Sequence, residues 1–407
     1  MSTSRPVLRI AIVVHGRFHG FDLARELILL GQDVTVFSNY PARLGPRFGV
    51  PSEVMKTFVT HGVLARAWNR IAGTHFHGTS DRILHTMFGR WAARNVKLGE
   101  FDVAHSFSGI AEELLLRHPH KGLLQTIVRG SAHITRQLAL LSEEEERIGH
   151  PIDKPSPWMV AREEREYQLA DMIFVLSTFA RNSFIDSGIP AGRIRLLPLG
   201  IQLKAFAAAK PALNARLDRI RSGARLRALF VGTFCARKGA VDFETIVDRL
   251  ADSVQIRVVG PVAQDAREIA NRLAGRVEFR GKVPHYHLPT EYAWGDIFIF
   301  PTIEDGYAGV LSQARAAALP IIATENCAGP DLIEHGSTGW VLPIRAPERF
   351  VEQISWCNAN RASLAEIVEN VHRQHRLGDW SEVAEDFMNI VLAKRTPTLA
   401  GTSSVER

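Results

Sequence analysis

Short apolar-rich runs recur along this chain, each closed by a turn and most followed by a stretch whose apolar residues return at helical spacing. In the first half the runs occupy residues 8–14, 33–38, 102–107, 123–128, 172–177 and 194–199; in the second they occupy 226–231, 255–259, 277–279, 297–300, 321–324 and 339–342. A run that does not alternate polar with apolar is buried on both faces, the condition of a strand inside a parallel sheet. After the first run, Phe21, Leu23, Ala24, Leu27, Ile28 and Leu30 share one helical face until Gly31 stops it, and 163–170 and 179–187 read the same way. Strands alternating with helices twice over predict an α/β protein of two Rossmann-like, doubly wound domains facing one another across a cleft. A length of 407 residues also exceeds one core of usual size. The expected division is a first domain over 1–203, a linker rich in Ala, Lys and Arg over 204–225, a second domain over 226–375, a terminal helix over 376–395 and a disordered tail over 396–407.

Composition narrows the function classes. Apolar residues make up 46% and charged residues 23%, and no apolar run approaches the roughly 18 residues of a spanning helix. Arg9 interrupts the first apolar run and no small-residue cleavage site follows it, so a strand is expected there and a cytoplasmic location for the protein. Cys235, Cys327 and Cys357 are far apart and form no CxxC, which fits a reducing compartment and core-filling roles. The net charge of +6 suits an acidic partner, but no dense Lys/Arg run carries interleaved aromatics, so nucleic acid is not expected. Residues 41–97 set Phe58, Trp68, Phe76, Phe88 and Trp91 among Lys56, Arg66, Arg70, Arg82, Arg90, Arg94 and Lys97. That pattern is either a basic, aromatic flank facing a membrane or a bulky acceptor, or core aromatics beneath a solvated arginine face, and the second is favoured.

The loop after the first strand, residues 15–20, is not GxGxxG, and the second strand ends in Ser38-Asn39 where a ribose-binding acid would stand. Both points exclude a nicotinamide dehydrogenase. More telling is the stretch 300–320, in which a buried strand meets a turn bearing Glu304, Asp305 and Gly306 and then an Ala-rich helix. Free backbone N–H groups at a strand's carboxyl end favour an anionic ligand.

Asp305 and Gln313, separated by seven residues that include Gly306, Tyr307 and Gly309, resemble the nucleotide-sugar signature of the family-four retaining glycosyltransferases, with Asp and Gln in place of two glutamates. The turn 232–239 resembles that family's diphosphate loop: Lys238 matches its lysine, Thr233 stands in the place of its arginine, and Arg237 lies next door. Residues 281–284 are similar to the segment whose backbone frames the nucleobase, 326–331 with Gly336, Gly339 and Pro343 to its glycine-rich turn, and Ala318 stands where glycine is usual. In the first half 170–177 and 198–201 resemble the family's closing segment, and Arg129 holds the place of a cleft histidine, with Ser131 and His133 just beyond.

The resemblance implies the GT-B fold, with the last helix crossing back onto the first domain. It implies a retaining glycosyltransferase moving a hexose from a nucleotide-diphospho sugar to a carbohydrate or glycolipid acceptor in cell-envelope polysaccharide assembly, without cofactor or metal and with a peripheral position at the inner membrane face. Lys238 and Asp305 would be catalytic. Gly16, Thr233, Arg237, Val283, Gly306, Tyr307, Gly309, Val310 and Gln313 would join them in holding the donor, and His19, Arg129, Ser131 and His133 would face the acceptor. The rival is a nucleotide-sugar-binding protein that has lost turnover, motivated by the substitutions at Asp305, Gln313 and Thr233.

Other chemistries lack their residues. No GxSxG serves a hydrolase, no Asp-x-Asp serves a metal-assisted transferase, and the 232–239 spacing fails for a P-loop. The pairs His75/His77, His118/His120 and His285/His287 have no third ligand beside them, and the acidic run Glu143 to Glu146 reads as a solvated helix or loop.

Overall fold

The computed structural model describes residues 6–71, 77–119, 122–201, 203–374 and 378–395. His75, Phe76, His120 and the tail 396–407 lie outside the described residues.

The apolar runs form two wholly parallel sheets. The first contains β1 (Arg9–Val14), β2 (Asp33–Ser38), β3 (Met55–Thr57), β4 (Val103–Phe107), β5 (Leu124–Arg129), β6 (Met172–Val175) and β7 (Ile194–Leu196), in the order β3-β2-β1-β4-β5-β6-β7. The second contains β8 (Leu226–Val231), β9 (Val254–Val259), β10 (Val277–Phe279), β11 (Ile297–Phe300), β12 (Ile321–Thr324) and β13 (Gly339–Leu342), in the order β10-β9-β8-β11-β12-β13. Each sheet reverses its winding once, between β1 and β4 and between β8 and β11. Loops leaving the carboxyl ends of those four strands diverge there, so each sheet opens a crevice at that point. Strand β3 was not legible: it is a three-residue edge strand whose middle residue, Lys56, is exposed.

Helices cover both faces. The Trp380–Arg395 helix belongs to the core of the first sheet, where Phe387, Met388 and Val391 pack with Ile10, Ile12 and Phe21. Phe58, Phe88 and Trp91 pack with Phe37 beneath exposed Arg66, Arg82, Arg90 and Arg94, so those aromatics are core; Trp68 is the exception, 44% exposed. Cys327 and Cys357 are buried, and burial pushes both thiols up to about 12.

Two expectations need correction. The stretch 204–225 is more than linker, because Lys210–Arg221 is a helix whose Leu213, Leu217 and Ile220 enter the second core. On its buried face Arg216, only 1% exposed, donates to the carbonyls of Tyr292 (3.0 Å), Gly295 (2.8 Å), Ala317 (2.6 Å) and Ala318 (3.0 Å). One guanidinium thus satisfies the orphan carbonyl ends of the Leu288–Trp294 and Gly309–Ala316 helices. The acidic run is a helix face with Glu143 and Glu146 exposed, as expected, but Glu144 is buried. It lies on the Ile134–Ile148 helix, where buried Glu144 accepts from Arg147 at 3.3 Å and, from the other half of the chain, Arg345 at 3.1 Å. Arg345 also donates to Glu143 at 2.6 Å, and Arg147 pairs with Asp242 of the second half.

Candidate active site

The site begins where the loops after β8 and β11 interlock. Gly239 has φ +78°, and a β-carbon there would collide with the carbonyl oxygen of Pro301, so only glycine lets the two turns nest. The Arg237 carbonyl then accepts from Thr302 Oγ1 (3.2 Å), Ile303 N (3.0 Å) and Glu304 N (3.4 Å). This zipper sets the cations of one turn on the acids of the other. Lys238, 8% exposed, pairs with Asp305 and donates to the Glu304 carbonyl at 3.3 Å. The other Asp305 oxygen accepts from the amides of Tyr307 (3.2 Å) and Ala308 (2.9 Å), closing the turn into the Gly309–Ala316 helix. Burial works against the Asp305 charge, but Lys238 and Arg237 outweigh it and hold the carboxyl below its ordinary value.

Glu304 turns the opposite way, into the first half. Its fully buried carboxylate accepts from Ser131 Oγ, from Ala132 N at 3.2 Å and from Gln137 Nε2 at 3.0 Å, and pairs with Arg237 at 3.2 Å. Burial opposes its charge; Arg237, Lys238 and the Ser131 hydroxyl overcome that and keep its pKa lowered. Gly306 completes the contact, since a β-carbon there would strike the Gly130 carbonyl. Arg129 faces the same junction and donates to Glu163 at 3.0 Å, Gln137 at 2.7 Å and the Ala132 carbonyl at 3.3 Å.

Between the sheets lies a cleft of about 650 Å³. Of the residues expected there, His19, Arg129, Lys238, Asp305, Tyr307, Gly309 and Val310 line it. The others stand elsewhere. Arg237 and Ser131 line an adjoining recess, and the Ser131 hydroxyl is committed to Glu304. His133 caps the Ile134–Ile148 helix, binding Thr135 Oγ1 at 2.7 Å and packing on Tyr167 and Phe184, so it faces away from the cleft. Gly16 gives its amide to Asn39 Oδ1 at 2.6 Å and takes the Ser38 hydroxyl on its carbonyl at 2.6 Å, which is the use this fold makes of Ser38-Asn39. Thr233 is exposed, and Val283 packs half-buried against the second core. Gln313 is half-buried, with its amide oxygen accepting from the Tyr292 hydroxyl at 2.8 Å.

Sequence reasoning missed the wall facing Lys238: His15, Phe18, His85, Phe107 and Glu163. These come from the loop after β1, the last residue of β4 and two helices, and no local motif joins them. Glu304 was seen only as a turn residue, and Gln137 carried no signal. Among the described residues no group of three or more His, Cys, Asp or Glu side chains is placed to hold a metal ion, and His285 and His287 are both exposed.

Two cations and the amino end of a helix on the cleft wall suit a ligand carrying phosphate. The family model for "Glycosyl transferases group 1" matches residues 225–360, and that for "Glycosyltransferase Family 4" matches residues 18–205. The chain belongs to the group 1 glycosyltransferases. Among relatives of this glycosyltransferase, the GDP-mannose-dependent alpha-(1-6)-phosphatidylinositol monomannoside mannosyltransferase of Mycobacterium tuberculosis is 28% identical over 200 residues, 46% of this chain and 52% of that protein. The chain thus spans about half the length of that relative. The amylovoran biosynthesis glycosyltransferase AmsK of Erwinia amylovora is 24% identical over 275 residues, 63% of this chain and 64% of that one. The glycosyltransferase's fold matches that of Anabaena HepE, solved in complex with UDP, with a TM-score of 0.67 at 13% identity, covering 95% of this chain and all (100%) of that one. It matches WaaG, a glycosyltransferase involved in lipopolysaccharide biosynthesis, with a TM-score of 0.63 at 15% identity, covering 94% of this chain and 99% of that one. The arrangement is the GT-B fold. Among the described residues no helix of the glycosyltransferase is long and apolar enough to cross a membrane.

Proposed function

We propose that this glycosyltransferase moves a hexose from a nucleoside-diphosphate sugar to a hydroxyl of a carbohydrate or glycolipid acceptor, with retention at the anomeric carbon and without a divalent metal. The observation carrying this reading is Lys238, held on Asp305 in the cleft beside the amino end of the Gly309–Ala316 helix. In the reaction the bond from the anomeric carbon to the diphosphate oxygen breaks, its electron pair leaves with the diphosphate, and the acceptor oxygen bonds to that carbon from the same face. The acceptor proton passes to the departing phosphate. Lys238 exchanges Asp305 for the diphosphate as the charge grows, and the helix terminus adds to the stabilisation. Asp305 then receives hydroxyls of the sugar. Arg237, from the adjoining recess, supplies the charge that Thr233 lacks, Gln313 meets the ribose through its amide, and the backbone near Val283 frames the base. The acceptor lies against His19 and Arg129 on the opposite wall. Relatives named for a phosphatidylinositol monomannoside and for amylovoran biosynthesis support a glycolipid or polysaccharide acceptor.

One observation favours a second reading, a binding protein without turnover: Thr233 is an exposed neutral residue at the expected arginine position. Release of nucleoside diphosphate from a panel of nucleotide sugars, measured with and without EDTA, decides between them. Turnover that persists in EDTA is expected. Tight donor binding without release establishes the second reading, and activity restored only by magnesium or manganese overturns the metal-independent mechanism.

A further inference from the structure

Residues 15–19, between β1 and the Gly20–Leu29 helix, are fastened on every side but one. Ser38 and Asn39 hold Gly16 through both its carbonyl and its amide, each at 2.6 Å. The Arg17 guanidinium lies over the Phe48 ring at 4.4 Å, and the His19 ring packs on Phe107 at 4.6 Å and on Trp380 at 6.2 Å. Beside exposed Arg17, Phe18 is the exposed one among the aromatic rings on this loop. Its φ is +37°, a conformation that bulky residues rarely adopt, and its side chain is 64% exposed at the mouth of the cleft. A single exposed phenylalanine is ordinary on a protein surface. A strained one on an anchored loop facing a binding cleft is a different observation, because the fold accepts both strain and exposure to present it.

The ring lies near-parallel to Phe107, with centroids 5.9 Å apart and planes at 25°. Around this pair the same wall carries hydrogen-bonding groups, including the His19 and His85 imidazoles, Arg129 and Glu163. Burial lowers the His19 pKa to about 4, so that ring is neutral at pH 7. An aromatic face bordered by polar groups matches a pyranose, whose C–H face meets the electron-rich ring while its hydroxyls reach the rim. An alkyl chain would want an unbroken apolar trough. We infer that Phe18, backed by Phe107, is a stacking platform for a pyranose ring of the acceptor. This rests on reading the cleft as the transfer site.

The test uses the full chain, UDP and GDP as nucleotide probes, and methyl pyranosides titrated in the presence of the nucleotide that binds. Phe18→Ala and Phe18→Leu are expected to weaken pyranoside binding about three- to tenfold, and Phe18→Trp to preserve or tighten it, with nucleotide Kd unchanged throughout. Phe18→Gly, which relieves the positive φ, should weaken the pyranoside like alanine while Tm holds or rises. An unchanged Phe18→Ala, a Phe18→Leu that binds like the parent, or a parent that binds nucleotide but no pyranoside overturns the platform alone; the leucine result would mark an alkyl occupant. A parent that binds neither UDP nor GDP overturns the reading of the cleft and the platform with it.

Discussion

Asp305 has three partners, and they limit what its substitutions mean. One oxygen pairs with Lys238 and the other holds the amides of Tyr307 and Ala308 in the turn before the helix, so alanine removes a charge and the acceptor of that turn together. Asparagine separates them, because its amide oxygen can still accept from those amides. Asp305→Asn should therefore keep the turn but lower Tm, because buried Lys238 loses its counter-charge; it should bind free nucleoside diphosphate at least as tightly because Lys238 loses its competitor, and turn over about tenfold to a hundredfold more slowly through loss of roughly 1.5–3 kcal/mol at the sugar. Asp305→Ala should lose about 1 kcal/mol of stability beyond that. Lys238→Ala should weaken nucleoside diphosphate binding by about tenfold or more, read by calorimetry, and an unchanged Kd would remove Lys238 from the donor site. The neighbouring backbone makes a separate forecast. Ala308 and Ala318 have φ of 61° and 57°, a left-handed conformation that costs an L-residue roughly 1–2 kcal/mol. Glycine at either position should raise stability by up to about 1 kcal/mol, seen as a higher denaturation midpoint. A lower midpoint in both variants would show that the methyl contacts outweigh the strain.

The Ile134–Ile148 helix is the element that ties the halves together. At its amino end Ala132 and Gln137 bind Glu304; midway Leu141 packs with Ala236, beside the cationic turn; towards its carboxyl end Glu143, Glu144 and Arg147 hold Arg345 and Asp242. Glu304→Ala would leave the buried Ser131 and Ala132 donors unmatched, and should cost about 3 kcal/mol and loosen the closed arrangement. The expected readout is a larger radius of gyration by small-angle scattering and a raised donor KM, with Glu304→Gln intermediate because its amide oxygen can still accept from the first half. Unchanged scattering and KM in Glu304→Ala would make the contact incidental. None of this helix's role was legible in the chain. The strands were: 33–38, 226–231, 277–279, 297–300, 321–324 and 339–342 appear with the boundaries read from the sequence, and in the central ones, such as 297–300 and 321–324, burial on both faces writes itself as consecutive apolar residues. The Asp305 turn was likewise visible as a local pattern. Glu304 was not, since Ser131 lies 173 residues away and nothing in either segment names the other. Arg216 and Glu144 were misread for a related reason: charged residues are usually solvated, and only tertiary partners reverse that expectation.

At the scale of the molecule, burial keeps several histidines neutral in the folded chain, and that ties stability to pH. His105 sits between Phe174 and Phe387 with its Nδ1 bonded to Thr126 at 2.9 Å, and burial lowers its pKa to about 3. His133 is lowered to about 4, first by burial and then by Arg129. In the unfolded chain both titrate near 6.5. Between that value and about 4 the unfolded state therefore binds more protons than the folded one, so stability is complete above pH 6.5 and is lost on acidification. Each of these two buried rings contributes at most about 1.4 kcal/mol per pH unit within the window. Glu304 and Asp305 have lowered pKa values, so their contribution is present above the ordinary carboxylate range and is lost only below it. The histidine transition should come first. Thermal melts at pH 7.5, 6.0 and 5.0 should show Tm falling steadily while scattering at 20 °C still reports the closed arrangement. His105→Gln, which keeps a hydrogen-bonding group and cannot titrate, should reduce the slope of that fall. A slope unaltered by His105→Gln, or domains that separate before Tm drops, would place the acid sensitivity in the carboxylates between the two halves instead of in the buried rings.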